Sequence, residues 1–240
     1  MTTSDMIMQD QADHVALCLG VKVPPSPFLN DTRIERINAA RYEGQEIKGA
    51  LHVVREGDTV LEMGAGIGIV GAVIAHNAKP AKVLSYEANP ALIPHIEALY
   101  ALNGLEDTIS VTNRVLLSAP DRPKKMTLHV TNSYLGSSLI QRKNRATRAV
   151  EVDTDGFNEI CTNARPSVLI MDIEGGELDI LRDADLSGIR AIVMEFHPEA
   201  YGVEGMRSCK QILRDAGFAR VEDCSTRLVW TCQRAEADQA

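Results

Sequence analysis

Short apolar runs alternate with longer segments of mixed polarity from residue 56 onwards. Continuous apolar runs bounded by turn residues are typical of strands that are buried on both faces of a sheet. This pattern predicts strands at Val60–Met63, Lys82–Tyr86, Thr108–Asn113, Ser167–Met171 and Ala191–Phe196, and a terminal hairpin of Ala219–Cys224 and Leu228–Cys232. Helices are predicted at Ile67–Asn77, Pro90–Asn103 and Arg207–Ala216, and another ends at Leu181. Right-handed crossovers make this order an α/β fold with a doubly wound, mostly parallel sheet, to which the hairpin adds one antiparallel strand at the edge.

Two regions do not follow this alternation. Asp31–Val54 has the spacing of one amphipathic helix, which predicts an N-terminal helical cap over residues 1–55. Residues 56–240 then form a single α/β domain. Within it, Met126–Val130 and Ala149–Val152 are short strand-like runs around a serine-rich and basic stretch. We interpret residues 124–152, approximately, as an insertion that faces the substrate.

The stretch Val60–Gly71, VLEMGAGIGIVG, joins the first strand to a glycine-rich turn. Gly64, Gly66 and Gly68 allow a tight turn and a close approach of the backbone to a ligand, and the next helix points its N-terminus at that ligand. Glu87 ends the second strand, where a carboxylate can accept hydrogen bonds from both hydroxyls of a ribose. These features predict a nucleotide-type cofactor.

Two cofactor classes fit this loop. Gly66, Gly68 and Gly71 match the GxGxxG spacing of NAD(P)-dependent oxidoreductases. That arrangement would carry the strand past Gly64 and bury Glu62 inside it, where an unpaired carboxylate is costly. If the strand instead ends directly before Gly64, Glu62 lies at the ligand-binding crevice of the sheet, which is the pattern of S-adenosylmethionine binders. We favour this second arrangement, because no Tyr-xxx-Lys hydride site follows the third strand.

Composition and charge narrow the class of protein. With 240 residues and 45% hydrophobic side chains, the chain can bury one sizeable core. The formal net charge of -8 argues against a nucleic-acid partner, and the basic residues from Lys124 to Arg148 fit a solvated or acid-facing surface. The five cysteines form no CxxC pair, which favours a reducing compartment. Since neither a signal peptide nor a membrane span is evident, we expect a cytoplasmic protein with no membrane partner; the oligomeric state is not readable.

Four segments carry a family resemblance: VLEMGAGIG, YEANP after the second strand, MDIEGGELDIL and VMEFHP. Together, over the region from Arg41 to His197, they resemble the FkbM-type S-adenosylmethionine-dependent methyltransferases of class I. The resemblance implies a seven-stranded, Rossmann-like methyltransferase sheet and S-adenosyl-L-methionine as cofactor. It also implies a set of cofactor-binding residues: Glu62, Gly64, Ala65, Gly66, Gly68, Glu87, Ala88, Asn113 and Asp172. Of these, Glu62 would lie beneath the methionine part of the cofactor, Glu87 would bind the ribose and Asn113 would lie near the adenine.

Methyl transfer to a hydroxyl requires an aligned acceptor and a group that takes up its proton. The catalytic candidates are Asp172, which ends the fourth strand, and then Glu174 and His197. Asp172 could instead cap the next helix, and His197 could be a structural hydrogen-bonding residue. Glu177 is expected to pair on the surface of that helix or to favour its positive end. Strand periodicity would place Glu195 and His197 on one face.

Two further alternatives stay open. Tyr42 and Glu43 either close over the cofactor or are ordinary amphipathic positions of the N-terminal helix. Asp172 and Glu174 could hold Mg²⁺ with neighbouring oxygens, but the number of ligands does not favour it. No histidine–cysteine grouping indicates zinc or iron, so we assign no metal ligand.

The sequence therefore predicts an S-adenosylmethionine-dependent methyltransferase that acts on a hydroxyl of a small molecule. By the resemblance, this acceptor is a sugar or a secondary metabolite. One alternative is an NAD(P)-dependent oxidoreductase that uses Gly66, Gly68 and Gly71. The other is a non-catalytic protein that binds S-adenosylmethionine only to shape a partner surface, which a pocket blocked at Asp172 and His197 would indicate.

Overall fold

The computed structural model describes residues 13–131 and 147–234, and its elements follow one another as strands and helices of an α/β protein. In chain order they are β1 (Ala16–Cys18), β2 (Val21–Val23), α1 (Asp31–Asn38), α2 (Gly44–Val53), β3 (Thr59–Met63), α3 (Ile69–Ala78), β4 (Lys82–Tyr86), α4 (Ile93–Leu102), β5 (Ile109–Thr112), β6 (Val115–Leu117), β7 (Lys125–Thr131), β8 (Thr147–Gly156), α5 (Phe157–Ala164), β9 (Val168–Met171), α6 (Glu177–Asp183), β10 (Ala191–Glu195), α7 (Pro198–Asp215), β11 (Phe218–Arg220) and β12 (Val229–Arg234). A 3₁₀ turn at Glu222–Cys224 lies between the last two strands.

The central sheet has seven strands in the order β11-β12-β10-β9-β3-β4-β5. β10, β9, β3, β4 and β5 run parallel, and β12 pairs antiparallel with both β10 and β11. This confirms the predicted doubly wound, mostly parallel sheet with a hairpin at one edge. The antiparallel strand is the inner strand of that hairpin, so β11 forms the outer edge. β11 is also shorter than predicted, because the chain turns away into the 3₁₀ turn.

Two hydrophobic clusters cover the two faces of this sheet. Val60 of β3 packs into one cluster with α2, α3 and α4, whereas the next residue, Leu61, packs into the other with α6 and α7. In β10, Val193 and Met194 divide in the same way. Successive side chains of a strand point to opposite faces, so continuous apolar runs are needed here. The described helices thereby cover both faces of the sheet, which leaves the strand ends as the place where a ligand can approach it.

The predicted helix over Asp31–Val54 is wrong, because two helices, α1 and α2, occupy this region. The chain turns between them with Ala40 and Glu43 in the left-handed conformation, at φ 51° and 45°. The N–H groups of Arg41 and Tyr42 both donate to the carbonyl oxygen of Arg36, at 2.8 and 3.2 Å. The turn buries Tyr42, and the amphipathic pattern continues across it without marking the break. An unpredicted hairpin, β1–β2, precedes the two helices, so the segment before residue 55 is not only helical.

A second, three-stranded sheet contains β6, β7 and β8. β7 and β8 pair antiparallel from Lys125↔Asp153 to Thr131↔Thr147, at the place of the predicted insertion, and β6 pairs parallel with β8. β6 was not predicted, because three residues carry too little pattern. The connection from β7 to β8, with the basic residues Arg142, Lys143 and Arg145, lies outside the described residues. Among the described helices, none has both the length and the apolar character that crossing a membrane requires.

Candidate active site

A cavity of about 300 Å³ opens where the carboxyl ends of β3, β4 and β9 meet. Its wall consists of the loops after these three strands, the start of α2, and parts of β6 and β7. The predicted site residues that line it are Glu62, Gly64, Ala65, Gly66, Glu87, Ala88, Asp172 and Glu174. Gly68, Asn113 and His197 do not line it. The predicted set is therefore one spatial group, in which these last three residues lie behind the wall.

The glycine loop begins directly after Met63, so β3 ends before Gly64 as the favoured arrangement requires. Gly64 has φ 86°, and a Cβ placed on it would lie 1.7 Å from the carbonyl oxygen of Asp172. Gly66 faces the cavity, where an added Cβ would meet only one atom, 4.0 Å away. Gly68 caps α3 at φ 83° and would press a Cβ against α4 at 2.9 Å. Gly64 thus allows the close contact between the ends of β3 and β9, and Gly66 leaves room for a ligand. Gly68 allows α3 and α4 to pack closely.

Glu87 is buried at the end of β4 and holds the glycine loop in place. One carboxylate oxygen accepts from the N–H of Gly66 at 2.8 Å and the other from the N–H of Asn89 at 2.7 Å. Burial raises the pKa of Glu87 to about 7, and these N–H donors oppose the rise. Asn113 donates its amide to the carbonyl oxygens of Glu87 and Ala88, at 2.8 and 3.0 Å. Asn113 therefore positions this loop from behind.

Glu62 is buried beneath the glycine loop, at 1% exposure. Ser85 donates a hydrogen bond to its Oε2, while Oε1 is buried and has no hydrogen-bond partner among the described residues. Burial raises the pKa of Glu62 to about 7, against the hydrogen bonds from Ser85 and the Gly71 backbone. A Cβ on Gly71 would lie 2.4 Å from Oε2 of Glu62, the oxygen that accepts the hydrogen bond from Ser85. Gly71 thus makes room for a carboxylate, although its spacing matches a dinucleotide fingerprint.

Acidic side chains and one imidazole converge beside Gly64. Nε2 of His197 lies 3.5 Å from Oδ1 of Asp172 and 3.7 Å from Oε2 of Glu174. Nδ1 of the same ring lies 2.8 Å from Oε1 of Glu177, which is fully buried. The expectation that Glu177 pairs on the helix surface is therefore wrong. It begins α6 with its side chain turned into the protein, where the imidazole of His197 is its partner.

The structure brings two acids of the N-terminal region to the site, of which the sequence analysis had considered only Glu43. Glu43 and Glu46, at the start of α2, both line the cavity. Glu46 is 6% exposed, and one of its carboxylate oxygens lies within 4.8 Å of an oxygen of Glu195 at the end of β10. The sequence placed Tyr42 and Glu43 either over the cofactor or on an ordinary helix face, and both line the cavity. An acid on an amphipathic helix is normally solvated, so its burial could not be read from the pattern.

The proximity of these acids shifts their titration. Burial and the neighbouring carboxylates raise the pKa of Glu43 and of Glu195 to about 7 and that of Asp172 well above its ordinary value. Burial would lower the pKa of His197, but the hydrogen bond and charge of Glu177, with Asp172 and Glu174, raise it to about 9. The site therefore contains a buried imidazolium among carboxylates that compete for few protons.

A family model of the methyltransferase FkbM domain matches residues 62–219. The chain belongs to the FkbM methyltransferase family. The match spans both the glycine loop and the acidic cluster, and it confirms the predicted enzyme class, an S-adenosylmethionine-dependent methyltransferase. The match argues against the alternative of an NAD(P)-dependent oxidoreductase. The end of β3 at Met63 argues against it too, because that alternative requires the strand to continue past Gly64. A search of curated proteins found no match to this FkbM methyltransferase.

Solved structures similar to this FkbM methyltransferase include several other methyltransferases. The precorrin-6y C5,15-methyltransferase of Geobacter metallireducens GS-15 matches with 11% identity and a TM-score of 0.48, over 92% of this chain and 98% of that chain. The ribosomal protein L11 methylase of Lactobacillus delbrueckii subsp. bulgaricus has 15% identity, a TM-score of 0.47 and coverages of 80% and 78%. TrmK of M. capricolum, solved with S-adenosyl-homocysteine, has 8% identity, a TM-score of 0.45 and coverages of 80% and 71%. At these scores, we draw no conclusion about the acceptor from them.

Proposed function

We propose that this FkbM methyltransferase transfers a methyl group from S-adenosylmethionine to a hydroxyl of a small molecule, in the class of sugars and secondary metabolites. The observation that carries the proposal is the position of Asp172. Its backbone contacts Gly64 of the glycine loop, and its side chain lines the cavity beside His197. A group that can take up a proton thus lies next to the predicted methyl donor.

The residues of the cavity fit the cofactor. Gly66 leaves its cavity side open, and Glu87 offers carboxylate oxygens beside the same loop, where ribose hydroxyls can donate to them. Val115 and Leu116 add an apolar wall for a flat base. Bound there, S-adenosylmethionine would supply a methyl group activated by its sulfonium. Gly68 and Asn113 would support this site through helix packing and through the loop after β4, without direct contact.

The acceptor hydroxyl loses a proton while its oxygen forms a bond to the methyl carbon and the carbon–sulfur bond breaks. Asp172 is the catalytic candidate, because it lines the cavity, and Glu174 can orient the acceptor from the same wall. His197 lies behind Asp172 and acts as a positioning residue that Glu177 holds in one orientation. This role differs from the direct catalytic role that the sequence suggested for His197.

A non-catalytic binding protein is the remaining alternative from the sequence. The feature expected of it was a pocket blocked at Asp172 and His197. The side chain of Asp172 is 28% exposed and borders the cavity, so an acceptor can reach it. This accessibility favours the catalytic proposal.

Transfer of label from methyl-labelled S-adenosylmethionine tests the proposed acceptor class. The protein is incubated with pools of polyhydroxylated small molecules, and in parallel with tRNA and with ribosomal protein. We expect label in the small-molecule fraction, and a loss of at least 100-fold in Asp172→Asn, because one acid–base group contributes about 10²–10⁴-fold. The matched control is Asp183→Asn, an exposed acid at the end of α6. Label in tRNA or protein alone would contradict the acceptor class.

A further inference from the structure

Five carboxylates converge on one small region beside the glycine loop, where few cations oppose them. They belong to Glu43, Glu46, Asp172, Glu174 and Glu195. His197 lies among these carboxylates. Burial raises the pKa of Glu43, and the charge of Arg36, outside the cluster, opposes this rise. Carboxylates that are withdrawn from water are costly unless a cation or a proton compensates them. The excess of acids goes beyond what the proposed proton transfer needs.

The ligand atoms are spaced as the ligands of one ion are. One oxygen each of Asp172 and Glu195 and one ring nitrogen of His197 all lie within 4.8 Å of one another. The separation between Nε2 of His197 and Oδ1 of Asp172, 3.5 Å, is too long for a good hydrogen bond. Two adjacent ligands that each lie about 2.1 Å from an ion are about 3 Å apart, so only small side-chain movements would close the set. A second set, Glu43, Glu46 and Glu195, shares Glu195 with the first.

A buried imidazole independently indicates a ligand at this point. The side chain of His197 is 8% exposed, and Glu177 fixes its Nδ1 at 2.8 Å. Its Nε2 therefore points into the carboxylate cluster, where we find no hydrogen bond to it among residues 13–131 and 147–234. Oδ1 of Asp172 is likewise buried without a hydrogen-bond partner. A histidine that is oriented by a carboxylate on one nitrogen and offers the other to a cation is the usual arrangement around a protein-bound metal. The ion would bind at Nε2 in place of the proton that the imidazolium carries there without a metal, and that proton would be released to solvent.

We propose that Asp172, Glu195 and His197 bind a divalent metal ion beside the methyl-donor site, with Glu43 and Glu46 completing its surroundings. Two carboxylates and an imidazole provide both oxygen and nitrogen ligands. This ligand set suits Mn²⁺ and similar first-row transition ions better than it suits Mg²⁺, which prefers oxygen ligands. The sequence assigned no metal ligand, and the Mg²⁺ set it considered was Asp172 with Glu174. The folded chain changes this assignment, because β10 and α2 bring in acids that are distant in sequence.

The role of the ion rests on the proposed function. An acceptor hydroxyl that binds to the ion would have a lower pKa, and its proton would pass to a neighbouring carboxylate as the new carbon–oxygen bond forms. The same charge would position the acceptor oxygen close to Gly64, where the methyl donor is expected. Binding of the ion itself requires only the side chains of this cluster, so it can be measured without any methyl donor.

Paramagnetic resonance of Mn²⁺ tests the site directly. The protein is freed of metal with a chelator and titrated with Mn²⁺. Binding is measured by the six-line signal of the free ion, which decreases as the ion binds. We expect one bound ion per chain, and competition by Mg²⁺ or Zn²⁺. Glu195→Gln and Asp172→Asn should each weaken binding at least tenfold, since each removes a ligand charge. The matched control, Glu204→Gln, changes an acid on α7 that is 82% exposed and should bind as the wild type does.

Circular dichroism and thermal unfolding of each variant separate a lost ligand from a lost fold. If Glu195→Gln does not fold, Asp172→Asn decides the question, and protection of the wild type against heat by Mn²⁺ provides a second reading. No binding to the wild type at millimolar Mn²⁺ or Zn²⁺ would overturn the metal site, and so would equal binding by all variants. Binding of organic ammonium ions in place of metals would also overturn it and would indicate a cationic acceptor. Calorimetry with S-adenosylhomocysteine on the metal-free protein tests the methyltransferase proposal separately.

Discussion

At the scale of single residues, the partner of an acid decides its role, and sequence spacing does not reveal that partner. Glu177 follows two glycines at the start of α6, where an acid normally interacts with the helix N-terminus in solvent. In the structure it is fully buried against His197. Glu87, in contrast, was assigned to the end of the second strand, and the strand geometry places it at the cavity. A position fixed by a strand end could be predicted, whereas a contact between α6 and the end of β10 could not.

The buried pair of Glu177 and His197 leads to a stability prediction. Glu177→Ala should lower the free energy of unfolding by about 3–5 kcal/mol, because it leaves a buried imidazolium without its partner. Asp183→Ala is the matched control on the same helix, since Asp183 is exposed. Chemical denaturation of both variants at pH 7 measures the difference. Equal stability of the two variants would show that the pair does not hold α6 to the end of β10.

At the scale of elements, continuous apolar runs predicted the parallel strands well because such strands are buried on both faces. Helix boundaries followed less well. The break between α1 and α2 depends on a turn in which Ala40 and Glu43 have the left-handed backbone conformation. Non-glycine residues seldom adopt this conformation, so the turn is not evident from the sequence. The burial of Tyr42 stabilises this turn, and the same turn directs Glu43 and Glu46 into the site. The position of Glu43 and Glu46 in the site is therefore determined by tertiary packing and not by the local sequence pattern.

The contact between the ends of β3 and β9 depends on Gly64, which gives a prediction at the element scale. Gly64→Ala combines a left-handed backbone at φ 86° with a Cβ placed 1.7 Å from the carbonyl oxygen of Asp172. Gly57→Ala has the same backbone penalty, at φ 84°, with no atom within 4 Å, so it should cost about 1–2 kcal/mol. We expect Gly64→Ala to destabilise the protein by clearly more than Gly57→Ala in urea unfolding. Equal losses would mean that the two strand ends are not in close contact.

At the scale of the whole molecule, an ion pair connects the amino-terminal ends of inner strands of the sheet, on the side opposite the cavity. Asp58 accepts hydrogen bonds from Ser167 at 2.7 Å and from the N–H of Arg55 at 2.6 Å, and it pairs with Arg190. These residues lie just before β3, β9 and β10, so one carboxylate joins three strands of the sheet at the ends away from the site. Burial raises the pKa of Asp58, but the hydrogen bonds and Arg190 outweigh it and leave the pKa below its usual value.

This lowered pKa predicts how acid weakens the fold. The stabilisation is present above the pKa that Asp58 has in the unfolded chain, and it is lost as pH falls through the lower folded value. Asp58→Asn should therefore be less stable than wild type at pH 7, and the difference should shrink towards pH 3. Urea unfolding at both pH values measures this, with the exposed Asp121→Asn as control. A difference that stays constant with pH would contradict the ionic role of Asp58.

Calorimetric titration with S-adenosylmethionine tests the central claim, that this FkbM methyltransferase holds its methyl donor between the glycine loop and Glu87. It is made on the wild type, on Glu87→Ala and on Glu97→Ala, an exposed acid of α4. We expect micromolar binding to the wild type and to Glu97→Ala, and binding at least tenfold weaker to Glu87→Ala, which loses the carboxylate that we propose to bind the ribose. Equal affinity in all three proteins, or binding of NAD in place of S-adenosylmethionine, would contradict the account.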